Sequence, residues 1–252
     1  MLILVSPTKT MHEKGDHKPT GIPYFHNRSK AIVEVLKTLS VPELMELMKI
    51  NEMIATQNAQ RYQAIVFDQQ GQCAIDLYDG LQYKYMKVSS YGEEERNFLQ
   101  KHLRILSGLY GVLQPFDSIY PYRLEMQCKL EVDGYKNLYA FWKNRLSTKL
   151  LEDLATHEDQ RIVNLASKEY EKAIRKEINP AQWVDVLFQV EKQGKRKSEA
   201  TAAKMARGMM IRYIAINKLK QVEDIQNFCE DGYQFDQEAS DAHTYVFYKV
   251  VC

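Results

Sequence analysis

Residues 1–10 read MLILVSPTKT. Leu2–Val5 is a continuous apolar run that Pro7 ends, so it reads as a buried strand. Ser6, Lys9 and Thr10 then lie in the loop at its carboxyl end, the edge at which open α/β sheets collect ligands. Lys9-Thr10 looks like the end of a phosphate-binding loop, but the glycines are missing and this is no Walker motif. An ammonium beside a hydroxyl still suits an anion. The plainer alternative is a surface lysine and a helix cap.

Outward from this strand, Arg161–Ser167 (RIVNLAS) reads as a second one. Asn164 and Ser167 lie near its carboxyl end, as Ser6 does for the first. Two strands delivering polar ends to one edge is how an α/β site is assembled. Trp183–Val190 reads as a third strand, with Val184, Val186, Phe188 and Val190 on one face, and Tyr245–Val250 as the last. Lys192–Lys197 is a basic hairpin or loop. A solvated turn is its simplest reading.

Helices surround these strands. The pattern predicts one from Glu93 to Leu106, with Phe98, Leu99, His102, Leu103 and Leu106 as its stripe and Ser107-Gly108 ending it. It predicts another from Asn137 to Leu154, with Leu138, Phe141, Trp142, Leu146 and Leu150 inward. A short helix opens at Tyr170 and runs through Ile174. The longest spans Ser198–Leu219, with Met205, Met209, Tyr213 and Ile216 as its buried stripe. Near residues 28–62 three helices follow one another. Ser40 and Pro42 start the second, and Asn51 caps the third. The tight turn Lys49-Ile50-Asn51 makes the last two resemble a helix-hairpin-helix, a unit that offers backbone N–H groups and a lysine to a DNA phosphate. The glycines expected in such a hairpin are absent. The expected fold is therefore a single mixed α/β (α+β) domain over 1–252, a central mixed sheet with surrounding helices and a helix-hairpin-helix-like subregion.

Leu103–Met126 reads LRILSGLYGVLQPFDSIYPYRLEM. Pro115 and Pro121 forbid ordinary helix or central strand beyond the glycines, so an ordered loop remains that carries tyrosines, Arg123 and Glu125; the plainer alternative is a structural Arg123–Glu125 ion pair with the tyrosines in the core. Three blocks, SPTKT at 6–10, this stretch, and NLASKEY at 164–170, occur in an order and at a spacing that resemble the YaaA peroxide-stress protein family (UPF0246) of bacteria. The resemblance runs from residue 1 to GYQFD at 232–236. IDLYDGLQY at 75–83 matches a further block through Asp76, Tyr78 and Gly80, although the family's glycine before the aspartate is Ile75 here. Lys204, Arg207 and Gly208 resemble the family's KxxRG block.

The resemblance implies a peroxide-stress protein that binds DNA and helps limit iron-dependent oxidative damage. Direct iron handling finds no clustered ligand set in the sequence, and His12, His17 and His26 lack metal spacing. The candidate DNA contacts are Lys49, Lys195, Arg196, Lys197, Lys204 and Arg207, lining a basic cleft, with tyrosines stacking on exposed bases. The competing class is an enzyme acting on a nucleotide or nucleobase. In it Lys9 and Arg123 hold an anion, and Glu125 or Asp76 serves as general acid or base. Asp76 would orient a base or hold Arg123; the alternative is a solvent-facing strand end. Ser6, Thr10, Tyr78, Ser107, Tyr110, Tyr122, Asn164, Ser167 and Tyr170 complete the candidate ligand-binding set. No cofactor is expected.

Composition sets outer bounds. The net charge is +1, which argues against a surface coated in positive charge but leaves room for a local cleft. Cysteines at 73, 128, 229 and 252 form no CxxC pair. Together with an amino terminus too short for a signal peptide, they point to a reduced cytoplasmic protein. No apolar run approaches the ~18 residues of a membrane span.

Overall fold

A computed structural model describes residues 1–13, 15 and 17–251; Cys252 lies outside them. β1 (Leu2–Val5) comes first, and three helices follow: α1 (His26–Thr38), α2 (Val41–Met48) and α3 (Glu52–Ala64). Then come β2 (Gln72–Cys73), α4 (Ala74–Leu77), α5 (Leu81–Met86) and α6 (Glu93–His102). The middle of the chain forms β3 (Leu103–Ser107), β4 (Gly111–Leu113), β5 (Ser118–Ile119), α7 (Leu138–Trp142) and α8 (Arg145–Leu154). β6 (Ile162–Asn164), α9 (Lys168–Glu171), β7 (Trp183–Lys192), β8 (Lys195–Lys197) and α10 (Ala200–Asn217) lead to β9 (Gln234–Phe235) and β10 (Thr244–Val250).

The main sheet has the order β4-β3-β1-β6-β7-β10-β9, with β8 on β7. β3, β1, β6, β7 and β10 are mutually parallel, and the outer strands β4, β8 and β9 are antiparallel. β1 is central and wholly buried, as a continuous apolar strand in a parallel sheet should be. The chain leaves β1 for β3 on one side and returns to β6 on the other. The strand order therefore reverses at β1, and a crevice opens at its carboxyl end.

Three helical expectations change. α6 ends at His102, and Leu103–Ser107 is a strand paired with β1 through Ile3–Leu103, Leu4–Arg104 and Val5–Ile105. A short apolar run following a helix continues the helical stripe, and only pairing across the fold tells the two apart. Gly108 is consequently no helix cap. A Cβ there would lie 2.4 Å from the carbonyl oxygen of Leu124, so the glycine admits the returning loop, and the left-handed residue is Gly111 (φ 76°). The expected helix over 137–154 breaks at Asn144, which is itself left-handed (φ 63°). α9 starts at Lys168, before Tyr170, and stops at Glu171.

α10 also presents a different face. Ala203, Ala206, Met210, Ile211, Ile214 and Ala215 are buried with Met209, whereas Met205 and Tyr213 are half-buried and Ile216 is 43% exposed. Gly208 explains this, because a Cβ there would lie 2.2 Å from the carbonyl oxygen of Gln82 in α5. The two helices touch almost backbone to backbone, and small residues line the contact.

The helical subregion forms as expected. Ser40 and Glu43 make a capping box, with Ser40 N donating to Glu43 Oε2 (2.7 Å), and Asn51 Oδ1 accepts from Ile54 N (3.0 Å). Lys49 holds the left-handed conformation (φ 52°) at the corner, the place where a hairpin glycine was missed in the sequence. β7 alternates as predicted and turns at Gln193-Gly194, both left-handed, into β8. The buried apolar side chains form one contiguous cluster around the sheet. Among the described residues no helix is long and apolar enough to cross a membrane.

Candidate active site and nucleic-acid interface

Three loops meet at the carboxyl end of β1. Ser167 N donates to Ser6 Oγ (2.8 Å), and the Ser6 and Ser167 hydroxyls lie 3.2 Å apart, which stitches the end of β6 to the end of β1. The Tyr83 hydroxyl donates to the Ser6 carbonyl (2.9 Å). From the third loop, Arg123 and Glu125 arrive beneath Lys9.

Glu125 is the centre of this arrangement. Its Oε1 accepts from Arg123 Nη2 (2.9 Å) and Nε (3.2 Å) and lies 3.2 Å from Lys9 Nζ. Its Oε2 is buried with no partner. The Glu125 side chain is 7% exposed, Arg123 16% and Lys9 60%, so a buried carboxylate is roofed by an exposed ammonium. An unpaired buried acceptor costs about 1–3 kcal/mol, and an N–H or O–H donor from a ligand would recover that. A small cavity of about 40 Å³ lies here, bounded by Thr8, Lys9, Tyr122, Arg123, Glu125, Glu169 and Tyr170.

Glu169 is a second carboxyl in this wall. Burial raises its pKa, and the negative charge of Glu125 pushes the same way. A carboxyl whose proton is held more tightly, beside a second carboxyl that is ion-paired, is an ingredient of proton transfer.

Behind them runs a rack of hydroxyls. Ser107 Oγ accepts from the backbone N–H groups of Leu109 (3.2 Å) and Tyr110 (2.9 Å), so its proton goes to the Tyr122 oxygen, 2.6 Å away. The Tyr122 and Tyr78 hydroxyls are hydrogen-bonded to each other at 2.7 Å. Burial pushes the Tyr122 phenol up to about 12 and holds Tyr78 and Tyr170 well above the ordinary range, so these rings stay neutral and act as packing and hydrogen-bond supports.

The sequence is similar to those of known proteins. A family model described as "Peroxide stress protein YaaA" matches residues 1–239. The chain belongs to the YaaA peroxide-stress family. A UPF0246 protein of Clostridioides difficile is 41% identical over 251 residues, covering 99% of this chain and all of the relative. UPF0246 proteins of Desulfitobacterium hafniense and Pediococcus pentosaceus are 39% and 38% identical, covering at least 98% of each chain.

Against that background, the fold brings together most of the YaaA-like site residues named from sequence. Lys9, Tyr122, Arg123, Glu125 and Tyr170 line the crevice, Ser6 and Ser167 join the strand ends beside it, and Ser107 is buried behind Tyr122; Thr10 is exposed at its outer rim. Asn164 is near but fully engaged: Nδ2 donates to Asp185 Oδ1 (2.7 Å), and Oδ1 accepts from Ala166 N (3.0 Å), so it shapes the loop. Asp76 does not hold Arg123. It sits in the one-turn α4 and binds His17, 2.8 Å to the ring Nδ1 and 3.1 Å to the backbone N–H. Tyr78, Tyr110 and Tyr122 are buried, which removes them as stacking platforms for bases.

The basic residues divide similarly. Lys49, Lys195, Lys197 and Lys204 are exposed. Arg196 is tied to Glu191 (2.8 Å) and Asp236 and lies over the Tyr248 ring. Arg207 is half-buried; burial lowers its pKa against the opposing pull of Glu171. β8 pairs with the edge of β7 that β6 leaves free, on the side opposite β10. Lys192 lies seven residues beyond Asp185, the residue level with Asn164. At ~3.3 Å per residue the basic hairpin stands roughly 23 Å above the site edge.

Sequence reasoning missed Glu169, Tyr83 and Arg61. Arg61 was legible: Ile54, Gln57, Asn58 and Arg61 fall at i, i+3, i+4 and i+7, one helix face.

Proposed function

We propose that this chain is a cytoplasmic DNA-binding protein of the peroxide-stress response that helps limit iron-dependent oxidative damage. One observation carries the DNA reading. Lys49, at the corner of the helix-hairpin-helix-like unit, and Glu125 line a single cleft of about 730 Å³. Duplex held at the α2–α3 corner by phosphate contacts is thereby brought to the mouth of the site. Glu43, Glu46 and Glu131 also line that cleft and repel backbone phosphates, so the duplex lies across its Lys49 end rather than along it. The exposed Lys195 and Lys197 above the same sheet edge supply further phosphate contacts.

A second reading is favoured by the unpaired Oε2 of Glu125: an enzyme acting on a nucleotide or nucleobase, in damaged DNA or free. Lys9 and Arg123 hold the anionic part, and the Glu125 carboxylate takes or gives the proton.

Fluorescence anisotropy with duplex DNA across a salt series tests the first reading. Lys195→Ala/Lys197→Ala is expected to weaken binding and reduce the slope of log K against log salt by about 1 per lost contact. Glu125→Gln, run alongside, should bind duplex within about two-fold of wild type while losing any turnover of damaged substrates. Absence of salt-dependent binding by the folded wild-type protein would sink the DNA reading.

A further inference from the structure

A larger cleft opens on the other side of Arg123 from Glu125. It has a volume of about 600 Å³, within the ~300–1,000 Å³ typical of small-molecule sites. One wall is the α3 face formed by Ile54, Gln57, Asn58 and Arg61, and the facing wall runs from Lys9 to Glu13. Three cations converge there. Lys9 and Arg123 spend their charge on the same single oxygen of Glu125. Arg61 has neither a hydrogen bond nor an ion pair among the described residues. His12 is held by Asp79 (3.0 Å), and the exposed Glu13 is the only carboxylate lining the cleft among the described residues. Set against Glu125 and Glu13, the three cations leave one positive charge in excess in a concave place, which favours an anion.

The cleft also asks for donors. Asn58 is 1% exposed; its Nδ2 donates to the Ile54 carbonyl (2.8 Å), and its Oδ1 is buried without a partner. Glu125 Oε2, also unpaired and buried, belongs to the smaller pocket beyond Arg123 rather than to this cleft. A ligand with a phosphate at one end and a hydroxyl or amino group at the other reaches the cations and Asn58 together.

We infer that this cleft binds the phosphomonoester of a nucleotide, with Arg61, Arg123 and Lys9 around the phosphate and Asn58 accepting from its sugar or base. The inference rests on the nucleotide reading of the Glu125 pocket and names the part of the ligand that reading leaves open. A terminal phosphate carries nearly two charges and stands clear of its neighbours, whereas an internal diester carries one and is shielded by sugars on both sides. The monoester is either a free nucleotide or the phosphorylated end of a DNA strand.

Binding rather than turnover is the measurement, so that failure of this inference is separable from failure of catalysis. Calorimetric titration would compare 2′-deoxyadenosine 5′-monophosphate with 2′-deoxyadenosine, and 5′-phosphorylated duplex with 5′-hydroxyl duplex. Wild type, Arg61→Ala and Arg61→Lys would be used, each checked for an unchanged melting profile. The expected result is a phosphate preference of at least about ten-fold in one of the two pairs. It should vanish in Arg61→Ala and be partly kept in Arg61→Lys, while 5′-hydroxyl duplex binds within about two-fold throughout. A preference confined to the free nucleotide identifies that source, and one confined to the duplex identifies a strand end. Equal binding with and without the phosphate, or a preference that survives Arg61→Ala, overturns the inference. Loss of duplex binding beside a retained, Arg61-dependent nucleotide preference would count against the DNA reading alone.

Discussion

Asp117 shows how a single buried carboxyl sets a pH dependence. It is 3% exposed, and its Oδ2 accepts from Gln114 N (2.8 Å). Burial pushes its pKa up to about 7, against the pull of that N–H and of Arg104 and Lys149, while Asp153 pushes the same way as burial. The folded protein thus keeps a proton that the unfolded chain releases near pH 4. Folding binds more protons than unfolding across that window, so this group makes stability fall as pH rises from about 4 to about 7, by up to ~1.4 kcal/mol per unit, and level off above. Asp117→Asn keeps an acceptor for Gln114 and removes the titration. Urea unfolding at pH 5 and pH 8 should find the variant gaining on wild type at the higher pH; an identical difference at both would refute the assignment. His102 and His157 act oppositely. Burial lowers them to about 4 and about 3, so their contribution is lost as pH falls below about 6.5, and the comparison must be made within one variant pair.

At the scale of elements, the α2–α3 corner separates stability from binding. Lys49 occupies a left-handed position that costs a non-glycine residue about 1 kcal/mol. Lys49→Gly should therefore leave the urea midpoint unchanged or raise it, by up to ~1 kcal/mol, while removing one phosphate contact and weakening duplex binding. A fall in stability of more than ~1 kcal/mol would show that the lysine side chain supports the corner through contacts rather than reaching for DNA. This corner was legible in sequence because Ser40, Pro42 and Asn51 are local signals, each acting within one turn. β1, β6 and β7 were legible because apolar runs or strict alternation are bounded by polar ends. β3 was not: nothing between His102 and Leu103 breaks a helix, and the strand exists because β1 offers it a partner. The contact made by Asp76 was hidden for the same reason. Its partner His17 lies in a loop far away in sequence, and no local pattern encodes that meeting. Lys9, Arg123 and Glu125 were found as chemistry in loops, but their convergence on one oxygen is a property of the assembled edge. Of the two readings of the tyrosines, core packing is the one their burial supports; a hydroxyl rack looks, in sequence, like a stacking surface as well.

Across the whole molecule, the site is made by three segments that only the centre of the sheet brings together. Ile3 meets Leu103 on one side and Val163 on the other. During synthesis β1 is thus made well before either of its neighbours. The helices α1–α3 and the β7–β8 hairpin close over short stretches, but the middle of the sheet pays the loop-closure entropy of distant pairing before any contact rewards it. A chain truncated before residue 160 should keep helical signal yet lack a cooperative unfolding transition, because β1 would have one flank open; a cooperative melt from that fragment would show the first half to be self-sufficient. The full chain should refold in a slow, rate-limiting phase in which residues 2–5 become protected from hydrogen exchange late. Until then the most apolar strand of the protein lies uncovered at the front of the chain, a hazard that grows with expression level and that a chaperone, rather than a change of sequence in the site, would relieve.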